Sequence, residues 1–224
     1  MYKQHIQHIQ LTHIVHTMSN NDKLKYNVGA DGRKAKLNIN TNVIKNIIKQ
    51  RVNQNIYQVN ISKEMPVYMA CILEKLFVII FTATTNNIET VQEFINSISN
   101  NRKLIEVFSN VLYDNIIEHT YLSNTPKKTL KLSEHIDSKM FKNILENYNI
   151  TNINLTYEIS ELLNAMMFYI CKKITKVSLH SMHRSRRKTI SSLDVTTAVS
   201  CVFSESIATE LNNYGILCLT RYCS

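Results

Sequence analysis

Residues 184–189 read Arg-Ser-Arg-Arg-Lys-Thr, the densest run of positive charge in the chain. Guanidinium groups stay charged at neutral pH, and their planar forks of N–H donors match the oxygens of a phosphate. Ile190 follows, and Ser191 and Asp194 then form a capping-box pattern, with the shorter Asp in place of Glu. Behind the cap, Val195, Ala198, Val199 and Val202 recur at helical spacing. A cationic turn set directly before a capped, half-buried helix has little freedom left to lose when it grips an anion. Arg184, Arg186, Arg187 and Lys188 are therefore binding candidates, and the chemistry is charge-assisted hydrogen bonding. The sequence holds no nucleophile–base set, no glycine-rich phosphate loop and no metal-ligand motif. It predicts no catalysis, no cofactor and no small-molecule substrate.

The bulk numbers agree with a polyanionic partner. The formal charge is +9 and the pI about 9.3, which favours nucleic acid or an anionic membrane surface. With 44% hydrophobic residues over 224 positions the chain can build a core. Gly 3 and Pro 2 are too few for the turns of an all-β fold, so helices are expected. The five cysteines are odd in number and show no Cys-x-x-Cys pair. Cys71, Cys171 and Cys201 lie in apolar runs and read as small hydrophobes in a reducing compartment, without disulfides or zinc. The N-terminus lacks the apolar core of a signal peptide. Residues 65–81 are the one membrane-span candidate, but Glu74 and Lys75 at their middle favour a buried helix. His5, His8, His13 and His16 form two i, i+3 pairs with no acidic residue before Asp22, and no metal site is expected there.

The apolar pattern is written twice. A short helix near residues 40–50 buries Val43, Ile44, Ile47 and Ile48. A long helix opens at Met65-Pro66, where proline's missing N–H costs nothing, and its apolar residues spread nearly all round. A third helix near 89–99 buries Val91, Phe94, Ile95 and Ile98, and a short one follows near 102–108. The second series starts near Glu134, with Ile136, Met140, Phe141, Ile144 and Leu145 on one face. Thr156 can cap its long helix, which runs to about Met182. The helix behind the cationic turn and a last one near 205–222 complete it. Neither series can bury its long helix alone, whereas two packed together bury both.

The residues also carry a resemblance. "MPVYMACILEKL" (residues 65–76) and "AKLNINTNVIKNIIKQ" (35–50) resemble the central and first helices of core histone two-A. "RSRRKTISSLDVTTAV" (184–199) and "ESIATELNNYGILCLTRYCS" (205–224) resemble the second loop, third helix and C-terminal helix of core histone two-B. The whole is similar to the histone doublets of large DNA viruses. The resemblance implies an all-α chain of two histone folds joined in an intramolecular handshake, a pseudo-heterodimer. It divides the chain into a polar tail (1–33), a two-A-like fold (34–110), a connector (111–133) and a two-B-like fold (134–224). It implies wrapping of double-stranded DNA through sequence-independent phosphate contacts, with a histone three/four-type doublet or pair as partner in a nucleosome-like particle. The setting implied is the virion and the infected cell, in the nucleus or a viral factory. A histone-fold transcription-regulatory subunit and a helical virion scaffold are the competing functions.

Under this resemblance the first loop of one fold lies beside the second loop of the other. Residues 57–63, including Lys63, with 183–189 should form a firm DNA-binding end, where Arg186, Arg187 and Thr189 match loop residues that the family aims at phosphates. Residues 84–90 with 149–156 carry no Lys or Arg and should bind weakly, through helix N-terminal N–H groups near Thr156. Asn60 stands where the family usually has an arginine. Lys45 and Lys49, which share a helical face, and Lys139 and Lys142 are middle-site candidates, and Lys34 a tail-proximal one. The family's acidic patch is depleted. Glu74 survives, but Ile79, Thr82, Arg102, Lys103, Ser206 and Tyr214 occupy other patch positions. Val111, Leu112, Tyr113, Ile116 and Ile117 of the connector are expected to contact the partner pair or pack locally.

Overall fold

A computed structural model describes residues 29–53, 58–84, 87–102, 104, 105, 108 and 138–224. The histidine-rich segment, Tyr57, Lys103 and the connector lie outside them. The expected all-α class holds. In chain order the elements are α1 (Gly29–Lys34), α2 (Thr41–Val52), β1 (Asn60–Ile61), α3 (Glu64–Ala83) and α4 (Val91–Ser99). Then follow α5 (Ser138–Asn147), α6 (Tyr157–Arg184), β2 (Thr189–Ile190), α7 (Ser192–Val202) and α8 (Glu205–Cys223).

Side chains that meet orphan N–H groups set the helix starts. Asn40 accepts from the Asn42 N–H at 2.9 Å and opens α2. Thr90 and Glu93 form a reciprocal capping box, which starts α4 at Val91 rather than near Glu89. Thr156 caps α6 as expected, accepting from the Ile159 N–H at 3.3 Å. Pro66 sits in the first turn of α3. One expectation is corrected at the N-terminal edge, where residues 29–33 belong to a short helix rather than a tail. The Lys34 ammonium lies 5.4 Å from the centroid of the Tyr222 ring, and the Tyr222 hydroxyl reaches Asp31 at 3.5 Å. These contacts seat α1 on the end of α8. A six-residue helix is too short to show an apolar period in the sequence.

The two halves interlock. α3 packs against α2 and α4 of its own half and against α5, α6, α7 and α8 of the other, while α2 lies on α6. α3 is long and apolar enough to cross a membrane, but it is buried on nearly all sides and serves as a core helix. One apolar cluster runs through both halves, from Ala35 to Cys218. Phe77 of α3 meets Phe141 of α5 edge-on, with centroids 5.1 Å apart. Short parallel pairings tie each end: Asn60 and Ile61 lie opposite Thr189 and Ile190, and Ile88 bridges to Ile153. Cys71, Cys171 and Cys218 are buried as small hydrophobes, but Cys201 is exposed. Its position falls off the Val195, Ala198, Val199, Val202 stripe of α7, which corrects its reading as a core thiol.

The halves approach each other very closely at Gly215 on α8. A Cβ built there would stand 2.6 Å from Cε2 of Tyr68 on α3. The Tyr68 ring cannot swing aside, because it is buried and its hydroxyl is held from two helices. Thr196 donates to it at 3.0 Å, and it donates to Asn212 Oδ1 at 3.1 Å. Gly215→Ala should therefore destabilise the fold by roughly 1–3 kcal/mol through overpacking. Urea unfolding of the two proteins measures this.

Candidate nucleic-acid interface

The β1–β2 pairing builds one end of the molecule. The Asn60 N–H donates to the Lys188 carbonyl at 2.9 Å, and the Ser62 N–H donates to the Ile190 carbonyl at 3.0 Å. Ile190 is fully buried and anchors the turn to the core. Lys63, Arg184, Arg186, Lys188 and Thr189 stay exposed. The expected meeting of residues 58–63 with 183–189 is thus present.

Backbone geometry sets where the arginines point. α6 ends with the Arg186 N–H on the His183 carbonyl at 2.9 Å and the Arg187 N–H on the Met182 carbonyl at 3.1 Å. This is the Schellman pattern, which needs a left-handed residue and usually takes glycine. Here that residue is Arg186, with φ of 53°. A side chain in this region costs about 1 kcal/mol. The same motif ends α1 at Lys36, φ 57°, and follows α5 at Asn149, φ 53°. Asparagine tolerates the conformation, whereas arginine and lysine gain nothing from it locally. Two exposed cations are thus held on strained turns where glycine would sit freely.

Arg187 departs from the sequence reading. Its two terminal nitrogens donate to both carboxylate oxygens of Asp194, at 3.0 and 2.5 Å, and Nη1 also reaches Ser191 Oγ at 3.3 Å. Asp194 is fully buried and completes the capping box, accepting from the Ser191 N–H at 2.9 Å. Burial opposes its ionisation, but Arg187 and Ser191 outweigh that and hold the carboxyl below the usual aspartate range. Arg187 is therefore a structural strut for the turn, with part of its side chain at the surface. Arg184, Arg186 and Lys188 are the outward charges.

No family model and no curated protein matches this chain. Among solved structures, the histone from Methanopyrus kandleri is similar at 12% identity and a TM-score of 0.46, over 75% of this chain and 97% of that one.

The remaining candidates are spread over other surfaces. Lys45 and Lys49 are exposed on α2, and Lys139 and Lys142 on α5. Lys142 also stands 3.8 Å from Glu146. Lys34 is stacked on Tyr222. Arg33 and Lys36 flank it in the open, and no motif in the sequence marks them out. The opposite end is built as expected, with the Ile88 N–H on the Asn152 carbonyl and the Asn154 N–H on the Ile88 carbonyl, both at 2.8 Å. Asn152 Nδ2 donates to the Thr84 carbonyl. Thr156 uses its hydroxyl for the α6 cap. Residues 84–90 and 149–156 contain no cation.

Glu74 also requires a correction, because it is no surface carboxylate. It is fully buried in α3 and receives the Asn38 N–H at 2.6 Å, Asn38 Nδ2 at 3.1 Å and the Ile39 N–H at 3.3 Å. Asn147 Nδ2 donates to Asn38 Oδ1 at 2.7 Å, and the Tyr214 and Tyr148 hydroxyls, 3.3 Å apart, close the far side. This network joins the lead-in to α2, the end of α5, α3 and α8. Burial pushes the Glu74 carboxyl up to about 7, against the hydrogen bonds that favour its ionised form. The folded state therefore holds its proton more tightly than the unfolded chain does. Stability contributed by this group is fully present below about pH 4.5 and is lost as pH rises to about 7. Compared with wild type, Glu74→Gln should lack that decline, a difference of roughly 3 kcal/mol between pH 4 and 8. Urea titrations across that range read it directly.

Proposed function

We propose that this chain is a histone two-A/two-B doublet whose halves form a handshake and which wraps double-stranded DNA by gripping its backbone. The single observation that carries the reading is the β1–β2 end. There, parts of both halves meet and mount Lys63, Arg184, Arg186 and Lys188 on a buried support. Such a mount reads no base edges; it follows phosphate spacing and the cost of bending the duplex. Residues 84–90 and 149–156 of the other end carry no Lys or Arg and would rely on backbone N–H groups and the α6 dipole, so the grip is asymmetric. Lys45, Lys49, Lys139, Lys142 and Lys34, with Arg33 and Lys36, extend the cationic surface beyond the loops. A histone three/four-type doublet or pair completes the nucleosome-like particle. The replacements at the family's acidic-patch positions, with Glu74 buried, deplete that patch, so a basic peptide directed to it should fail to bind. The virion and the infected cell are the setting in which such compaction operates.

Arg186 gives a sharp test. Arg186→Gly removes the left-handed strain and should raise stability by up to about 1 kcal/mol, while weakening DNA binding. Arg184→Ala with Lys188→Ala should leave the melting temperature unchanged and reduce affinity further. The slope of log affinity against log salt should become shallower by about 0.9 for each phosphate the protein no longer neutralises. Fluorescence anisotropy on random duplexes at several salt concentrations measures both quantities. Unchanged affinity in all three substitutions would refute the assignment of this end.

A further inference from the structure

The outer face of α6 carries an ordered charge gradient apart from the loop end, with Phe168 at its centre resting on the edge of the core. Glu158, Glu161, Ala165, Phe168, Lys172 and Lys176 follow one another at three- and four-residue steps, so they share one stripe of the helix. Glu158 and Lys176 are exposed and the four between them are half-exposed. The stripe is about 27 Å long, acidic at its N-terminal end, small and aromatic at its middle and basic at its C-terminal end. Lys172 lies back over the Phe168 ring, 3.9 Å from its centroid, and so shields the aromatic centre of the stripe.

We propose that this face is an isologous interface on which two copies of the chain pair α6 against α6 in antiparallel register. A two-fold axis near residue 167 sets Glu158 opposite Lys176 of the second copy and Glu161 opposite its Lys172. Ala165 then falls opposite Phe168, a small residue against a large one, which permits close approach of the helices. A parallel arrangement would oppose Glu to Glu and Lys to Lys, so the charge order itself selects the antiparallel one. Lys172 turns from its own Phe168 to the facing carboxylate, and the two rings become buried. The stripe is complementary to its own reverse, which is why a second copy fits it better than a uniformly acidic protein or a nucleic acid does. This interface is independent of the DNA-binding reading, because it excludes Arg184, Arg186 and Lys188.

Sedimentation equilibrium of the full chain without DNA tests it. The chain should form a dimer that weakens as salt rises. Glu158→Lys with Glu161→Lys should weaken it roughly 30-fold, and Lys172→Glu with Lys176→Glu likewise. Mixing these two variants should restore pairing as a heterodimer, and reversing all four charges in one chain should restore the homodimer. Thermal melts establish that each variant is folded. Arg184→Ala with Lys188→Ala should leave self-association unaltered while reducing DNA affinity, which separates the two readings. A chain that stays monomeric at its highest soluble concentration and low salt would overturn the proposal. So would association that charge reversal does not change, or a stripe that captures DNA without pairing.

Discussion

α3 has too much apolar surface to be covered by its own half. Its buried residues run from Met65 to Phe81 and face in nearly every direction, and α5, α6, α7 and α8 of the second half pack on it. This demand for cover organises the molecule. It draws α8 across α3 so tightly that position 215 admits no side chain, and it brings α5 onto Phe77. It also carries the loop before α3 against the loop before α7. The β1–β2 end is a by-product of core burial, with Ile190 fully buried beneath it.

Two polar devices sharpen what apolar packing alone would leave loose. The Glu74 network fixes four segments at one buried point, where any displacement would strand a hydrogen-bonding group away from water. The Arg187–Asp194 pair does the same for the turn after α6, with the carboxylate inside and the guanidinium at the rim. Between them the turn holds Arg186 in a backbone conformation that arginine does not prefer. Strain persists only where the surroundings over-determine it, and here they are a buried isoleucine, a buried aspartate and a short strand pairing.

Much of this was legible in the sequence because it depended on neighbours along the chain. The stripes of α2, α4, α5 and α7, the Thr156 cap, the Ser191/Asp194 box and Pro66 in a first turn are all local patterns. The pairing of cation-rich residues 183–189 with residues 58–63 came from the resemblance, and the strands bear it out. What stayed hidden depended on contacts distant in sequence or on backbone angles. Arg187 looked like its neighbours until the left-handed turn at Arg186 swung it back over Asp194. Glu74 looked like a surface carboxylate because Asn38, which buries it, lies 36 positions away. The steric limit at Gly215 depends on Tyr68, in the other half of the chain.

The two strands β1 and β2 that pair at one end of the molecule are far apart in the order of synthesis. A ribosome releases Asn60 and Ile61 long before Thr189 and Ile190, and until the later pair emerges the earlier one has nothing to lie against. A partly made polypeptide carries Lys63 but neither the platform beneath it nor Arg184, Arg186 and Lys188 beside it, so whatever that end does waits on translation of the second half.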